Sequence, residues 1–124
     1  VTVSEPEQYY RVQTQFFFEK PVKKGDMILA SFAMRGSGTV ARQPRVEVIL
    51  GQFGEPWTNW AVLGVAPRDG WDRYFIKAIA PADFEAGKGR LSLNYGYDPQ
   101  TVEIADVRVV NYGASADFDA LPMT

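Results

Sequence analysis

The residues best suited to chemistry in this sequence are polar side chains at alternating positions and aromatic side chains in turns. The polar candidates are Gln13, Arg35, Glu47 and Asn94, and the aromatic candidates are Trp57, Trp60 and Tyr97. Amide, guanidinium and carboxylate groups form paired hydrogen bonds with hydroxyls, and an aromatic ring offers a flat surface for the C–H face of a sugar. This combination predicts noncovalent binding of a sugar on a rigid sheet.

The same sequence is poor in catalytic groups. It contains no His and no Cys, which removes the commonest acid–base group, disulfides and thiolate metal sites. Its 15 acidic residues could supply the carboxyl pair of a glycosidase, but their spacing singles out no such pair. With three Trp, six Tyr and eight Phe residues, the chain favours binding over catalysis.

Length and charge limit the number of domains and the classes of partner. A chain of 124 residues fits one domain that can bury a core without a disulfide or metal. The net charge of −2 gives no electrostatic argument for nucleic acid or an anionic membrane, and no apolar run has the length of a membrane span. Because the first residue is Val, we expect the sequence to be a fragment of a processed or larger protein.

Alternation of apolar and polar residues predicts an all-β domain over residues 1–112. The predicted strands lie near residues 1–4, 9–18, 26–35, 44–51, 59–65, 71–80, 90–96 and 101–110. Turn residues, chiefly Gly and Pro, separate them, and short strands at this spacing favour a β-sandwich. Residues 113–124 lose the alternation, which predicts a linker or tail toward a following domain.

Strand parity also predicts which side chains face the core, because residues two apart share a side of a sheet. The inward set is Val12, Thr14, Phe16, Ile28, Ala30, Phe32, Met34, Val46, Val48, Leu50, Tyr74, Ile76, Leu91, Leu93, Tyr95, Val102, Ile104, Val107 and Val109. Trp71 opens a strand whose continuation points inward, which predicts a core role. The outward positions predict that Gln13, Arg35, Glu47 and Asn94 share one sugar-facing surface, with an ordinary solvated face as the alternative.

The aromatic candidates have two interpretations each. Trp57 and Trp60 follow the turn Gly54-Glu55-Pro56, where no alternating pattern requires burial, so each is either a stacking platform or a loop anchor. Trp60 is the first choice as a platform and Trp57 the second. Tyr97 lies at the rim of a predicted loop, where it either contacts ligand or packs the turn.

Several segments, taken in order and spacing, suggest a known family. They are 10–13 (YRVQ), 21–26 (PVKKGD), 32–35 (FAMR), 71–74 (WDRY), 94–100 (NYGYDPQ), 102–107 (VEIADV) and 110–113 (VNYG). From Tyr10 through Leu121 the chain resembles carbohydrate-binding modules of the family 4/9/22 type, as found next to the catalytic domain of bacterial xylanases. One departure is Ala33, which stands where an aromatic residue often follows the strand Phe in that family.

The resemblance implies an all-β jelly-roll sandwich of two antiparallel sheets, of the galactose-binding-like kind, without chemistry of its own. It implies a module that anchors an attached glycoside hydrolase to a plant polysaccharide, xylan or a related β-glucan, in a secreted or cell-surface protein. No cofactor is required. The alternative function is an interaction domain that packs against a neighbouring catalytic domain without binding sugar.

The resemblance also raises a structural calcium ion as an additional possibility. Asp26 and Asp106 recur in family members near strand ends, and carboxylates are ligands that calcium prefers. The alternative roles are turn capping by Asp26 and a strand-end hydrogen bond by Asp106.

Overall fold

The structure, a computed structural model, describes residues 2–3, 13–38, 44–95 and 100–124. These residues form the strands β1 (Thr2–Val3), β2 (Gln13–Phe17), β3 (Met27–Ser37), β4 (Val46–Gln52), β5 (Asn59–Val65), β6 (Asp72–Ile79), β7 (Gly89–Asn94) and β8 (Gln100–Asn111). A single 3-10 turn, Phe118–Ala120, is the only helical element in these ranges. None of the described segments is a helix that could span a membrane. The predicted all-β class is confirmed.

The strands form two four-stranded antiparallel sheets. Sheet I has the order β1-β8-β3-β6, and sheet II has the order β2-β7-β4-β5. In both sheets, neighbours such as β3 and β8 are far apart along the chain, so every sheet depends on long-range pairing. The predicted sandwich of two antiparallel sheets is confirmed.

The core lies between the two sheets and follows the predicted alternation. Sheet I contributes Phe32 and Ile76, and sheet II contributes Val48 and Leu91, all fully buried. Removing this apolar surface from water is the main stabilising contribution, at about 25 cal/mol per Å². Most of the predicted inward set is buried or packed on the core. The exception is Val109, which is 38% exposed, and Val12 lies outside the described residues.

A β-bulge in β8 changes its parity. Ser31 pairs with Arg108 and Ala33 with Ala105, so two residues of β8 oppose the single residue Phe32. Asp106, inside the bulge, has φ of 50°, a left-handed conformation that Asp tolerates better than most residues. Because of the bulge, Val102 and Val107 both face the core although they are five residues apart.

The burial of Trp60 and Trp71 differs from the sequence prediction. Trp60 packs against Phe84, with ring centroids 4.8 Å apart, and against Phe18, and it joins the edge of the core. Trp71 is 46% exposed on the outer side of sheet I, where the Arg35 guanidinium lies 4.8 Å from its ring centroid. The predicted core role of Trp71 is therefore wrong, and the preferred platform Trp60 is a packing residue.

Residues 113–124 lie against the sandwich. Thr124 and Phe75 of β6 are joined by two hydrogen bonds, from Thr124 N to the Phe75 carbonyl at 3.0 Å and from Phe75 N to Thr124 Oγ1 at 2.6 Å. The Lys77 ammonium donates to the Phe118 carbonyl at 2.8 Å and also lies over the Phe118 ring. This tail covers the edge of β6 that β3 does not pair. Its role as a connection to a following domain stays a prediction.

The packing of Trp60 makes it the critical tryptophan for stability. We expect Trp60→Ala to lower the free energy of unfolding by about 3 kcal/mol, because a large aromatic group is removed from a packed site. Trp71→Ala, at an exposed site, should cost less than about 1 kcal/mol, the value of an exposed cation–π contact. Urea unfolding of both variants measures the difference, and equal losses would contradict the packing role.

Gly89, at the start of β7, has the closest neighbours of the glycines that the structure describes. A Cβ there would lie 2.5 Å from Phe18 Cδ2 and 3.1 Å from Trp60 Cη2. We expect Gly89→Ala to destabilise the fold by about 1–3 kcal/mol through overpacking. Gly64→Ala is the matched control in β5, because nothing lies within 4 Å of its Cβ position. A drop in melting temperature for both variants alike would contradict this explanation.

Candidate functional site

The outer side of sheet II carries three rows of side chains. Because Leu91 and Leu93 point into the core, the alternate residues of β7 and their partners point away from it. The first row is Gln13, Asn94, Glu47 and Gly64; the second is Gln15, Ser92, Ile49 and Val62; the third is Phe17, Arg90, Gly51 and Asn59. Strand β7 therefore contributes the polar side chains Arg90, Ser92 and Asn94 to this face, and β2, β4 and β5 contribute the rest.

Hydrogen bonds between neighbouring strands fix these polar side chains. Ser92 Oγ donates to Gln13 Oε1 at 3.2 Å, and Asn94 Nδ2 donates to Glu47 Oε1 at 3.4 Å. Ser92 and Asn94 are buried, so these partners replace the water they have lost. The amide groups are thus held in fixed orientations, which lowers the entropic cost of binding a ligand.

Trp57 stands over the third row. The turn that precedes it closes with a hydrogen bond from Trp57 N to the Gly54 carbonyl at 2.7 Å, and Trp57 itself has φ of 58°. A positive φ is unusual for a bulky side chain and costs free energy, so it points to a function for this ring position. The ring is 47% exposed and touches Phe53 edge-on, with centroids 5.4 Å apart.

Phe53 and Phe17 extend this aromatic end of the face. Their rings meet edge-on with centroids 5.0 Å apart, and Phe17 is itself exposed. Gln52 stabilises the loop between β4 and β5. Its side chain donates to the Glu55 carbonyl at 3.3 Å and accepts from Thr58 N at 3.4 Å. The aromatic end is therefore supported by both packing and hydrogen bonds.

Together these side chains enclose an open groove of about 460 Å³. Its lining residues are Gln13, Gln15, Ile49, Phe53, Trp57, Asn59, Arg90 and Asn94. Four of them carry primary amides, two are aromatic, and none of these described lining residues carries a carboxyl group. The groove can therefore hydrogen-bond hydroxyls and stack a ring, but the lining lacks the acid pair that glycoside hydrolysis requires.

Arg90 supplies the positive charge of the groove. Its side chain is only 9% exposed, and its Nη1 donates to Gln15 Oε1 at 3.1 Å. The guanidinium carbon lies 5.4 Å from the centroid of the Trp57 ring. Burial lowers the pKa of Arg90 from its usual value, because the surroundings disfavour the charged form.

The structure brings together four of the seven residues predicted to bind ligand. Gln13, Trp57 and Asn94 line the groove, and Glu47 bonds to Asn94 in the same row. Trp60 lies on the core side of sheet II and does not reach the groove. Tyr97 lies outside the described residues, so its position stays a prediction.

Arg35 is the remaining candidate, and the predicted shared surface is wrong for this residue. It belongs to β3 of sheet I, on the opposite side of the sandwich from the groove. There it forms an ion pair with Glu103 at 2.9 Å across the strand pair β3–β8. Its outward parity was predicted correctly, but parity does not determine which sheet a strand joins.

Five groove residues were not among the sequence candidates: Gln15, Ile49, Phe53, Asn59 and Arg90. Gln15 shares its strand side with Gln13, and Arg90 shares its strand side with Asn94, so the same parity that selected Gln13 and Asn94 carries their signal. Phe53 and Asn59 lie at the two ends of the β4–β5 connection, where sequence parity gives no orientation.

The two carboxylates considered for calcium are engaged by groups of the chain. Asp26 accepts hydrogen bonds from Lys23 N and Asn111 Nδ2, both at 2.9 Å, and these bonds lower the pKa of Asp26. This is the predicted turn-capping role. Asp106 pairs with the guanidinium groups of Arg73 and Arg108.

A calcium ion fits poorly at Asp106, because the guanidinium groups of Arg73 and Arg108 already pair with this carboxylate. No group of three or more acidic residues that could hold a metal occurs in the described parts of the chain. Asp106 lies inside β8 rather than at its end, so the strand-end bond predicted for it is replaced by a bulge ion pair. A calcium role for Asp26 stays a prediction.

Comparison with known proteins gives matches in structure but not in sequence. No protein-family model and no curated protein matches the chain. A CBM4 carbohydrate-binding module superposes with a TM-score of 0.75 at 15% identity, over 89% of this chain and 80% of that one. The CBM1 module of BiXyn10A in its apo form has a TM-score of 0.62 at 17% identity, over 87% of this chain and 69% of that one.

A third structure agrees with these two. The N-terminal cellulose-binding domain of β-1,4-glucanase C from Cellulomonas fimi superposes with a TM-score of 0.67 at 16% identity, over 89% of this chain and 75% of that domain. At such low identity the agreement concerns the arrangement of strands. The fold that the sequence resemblance implied is confirmed: this chain has the β-sandwich fold of carbohydrate-binding modules.

Proposed function

We propose that this chain is a non-catalytic carbohydrate-binding module that holds a polysaccharide in the groove of sheet II. The observation that carries the proposal is the combination of Trp57, held at positive φ over the groove, with amide side chains fixed in rows below it. An exposed aromatic plane beside oriented hydrogen-bonding groups is the arrangement a sugar ring requires, with one face apolar and an edge of hydroxyls.

The structural neighbours support the same function. Two of them are carbohydrate-binding modules, and the third is a cellulose-binding domain of a β-1,4-glucanase. The groove formed by the described residues is open to solvent, which suits a polymer better than a small enclosed ligand. The shallow polar surface offers few fully desolvated contacts, so we expect dissociation constants on the order of 10–1000 μM.

The finer proposal is that the polymer is xylan or a related β-linked plant glucan and that the module serves an attached glycoside hydrolase. It is supported by the sequence resemblance to modules of xylan-degrading enzymes and by the glucanase origin of the third neighbour. Tethering an enzyme to its polymer raises the local substrate concentration without new chemistry. Such an enzyme acts outside the cell, so this proposal includes a secreted or cell-surface location.

A second candidate function is docking to a neighbouring domain without sugar binding. It is favoured by exposed apolar side chains on the outer side of sheet I, where Trp71, Ile79 and Val110 lie. The two functions use opposite sides of the sandwich. Variants on each side therefore distinguish them.

Affinity electrophoresis with xylan, mixed-linkage glucan, mannan and chitin tests the proposal. We expect retardation by at least one β-linked polymer, and Trp57→Ala should weaken binding roughly threefold to tenfold, since stacking contributes about 0.5–1.5 kcal/mol. Trp71→Ala is the matched control, because the two rings are about equally exposed, at 47% and 46%, on opposite sheets. It should leave binding unchanged.

Two results would contradict the sugar-binding function. One is the absence of retardation by any of the four polymers. The other is a loss of binding in Trp71→Ala that equals or exceeds the loss in Trp57→Ala, which would move the site to sheet I. Binding is compared per folded molecule, with the fraction folded taken from urea unfolding of each variant.

A further inference from the structure

Arg90 is a buried cation for which the described residues provide no carboxylate partner. Within the described parts of the chain its side chain donates one hydrogen bond, from Nη1 to the neutral amide oxygen of Gln15 at 3.1 Å, and its Nε is enclosed without a partner. No carboxylate forms an ion pair with it among the described residues, in contrast to Arg35, Arg73 and Arg108, which each pair with an acidic side chain.

A guanidinium with no counter-charge among the residues that the structure describes is unfavourable in the free protein. Transferring a guanidinium from water into a protein site is unfavourable unless a charged or polar partner compensates. The Trp57 ring face compensates in part, with its centroid 5.4 Å from the guanidinium carbon. At the aromatic end of the groove the described residues therefore hold a positive charge that they compensate only in part.

A neutral sugar does not neutralise that charge, whereas a carboxylate does. Arginine binds carboxylates through short, charge-assisted hydrogen bonds that are about twice as strong as those between neutral groups. Nη2 forms no hydrogen bond within the described chain and, unlike Nε, is not enclosed, so it remains available to an acceptor in the groove. An anionic substituent beside a ring stacked on Trp57 would reach this nitrogen.

We propose that the groove binds a polysaccharide containing uronic acid units, with the carboxylate of one unit placed on Arg90 next to the ring of Trp57. This inference deepens the proposed sugar-binding function and rests on it. Arg90 would then act as the residue that selects acidic polymers over neutral polymers of the same backbone.

The charge distribution of the face is compatible with this placement. Glu47 lies in the first row and Arg90 in the third, four residues apart along the strands, which corresponds to about 13 Å. That separation exceeds the Debye length of about 8 Å at physiological salt, so repulsion from Glu47 is largely screened. Neutral amides of Gln13, Gln15 and Asn94 line the groove between and around the two charges.

The test compares glucuronoxylan with the same polymer after its carboxyl groups have been reduced to primary alcohols. With the unmodified protein at low salt, we expect about tenfold tighter binding of the acidic polymer, and this preference should shrink as salt is raised. Equal affinity for both forms would overturn the role of Arg90 while leaving sugar binding intact. Binding to neither form, nor to the neutral polymers above, would overturn both proposals.

A variant pair assigns the preference to Arg90. Arg90→Gln should bind the acidic and reduced polymers with equal affinity, because it keeps a hydrogen-bonding side chain but removes the charge. Lys20→Gln is the matched control, since it removes one exposed positive charge outside the groove lining. It should retain the acidic preference. Loss of the preference in Lys20→Gln, or its persistence in folded Arg90→Gln, would contradict the assignment.

Discussion

Strand β7 imposes the constraint on which the binding face depends. It is hydrogen-bonded to β2 on one side and β4 on the other, and all six of its residues are buried. Its inward side chains are apolar and stabilise the core. Its outward side chains Arg90, Ser92 and Asn94 are polar, and a buried polar group is costly unless it is hydrogen-bonded. The neighbouring strands must therefore supply partners in register.

Meeting this requirement produces the groove. Gln13 and Gln15 on β2 and Glu47 on β4 are the partners, and they are the same residues that line or border the open face. Stability and recognition thus use one set of hydrogen bonds. A slip of one residue in β2 would turn both glutamines toward the core and leave β7 unsatisfied, so register is strongly specified here.

The sequence was sufficient to predict the strands and their inward faces, because alternation survives in almost every strand. It was insufficient where the backbone departs from a regular ladder. Trp57 and Trp60 are three residues apart in an irregular connection, which contains a left-handed residue and a register shift, so parity does not assign their rings to a side of the sheet. Arg35 was placed on the correct side of its strand but assigned to the wrong sheet, because parity does not specify strand partners.

The sequence predicted the groove only in part, and the polar residues that it predicted lie in regular strands. Gln13, Glu47 and Asn94 were found because they occupy regular strand positions in mutual register. Arg90 was missed although it has the same parity as Asn94, since it lies at the predicted start of the strand. Trp71 was misplaced because a tryptophan that opens a strand can turn outward, as it does here to meet Arg35.

The tail over β6 has a consequence for the edge of sheet I. An uncovered strand edge offers unpaired N–H and C=O groups that template pairing with another chain. Here the N–H groups of Phe75 and Lys77 donate to Thr124 Oγ1 and Met123 Sδ, so at these two positions the edge has no free donor for a further strand. Residues 123 and 124 thus cover two backbone donors of this edge that a further strand would otherwise pair with.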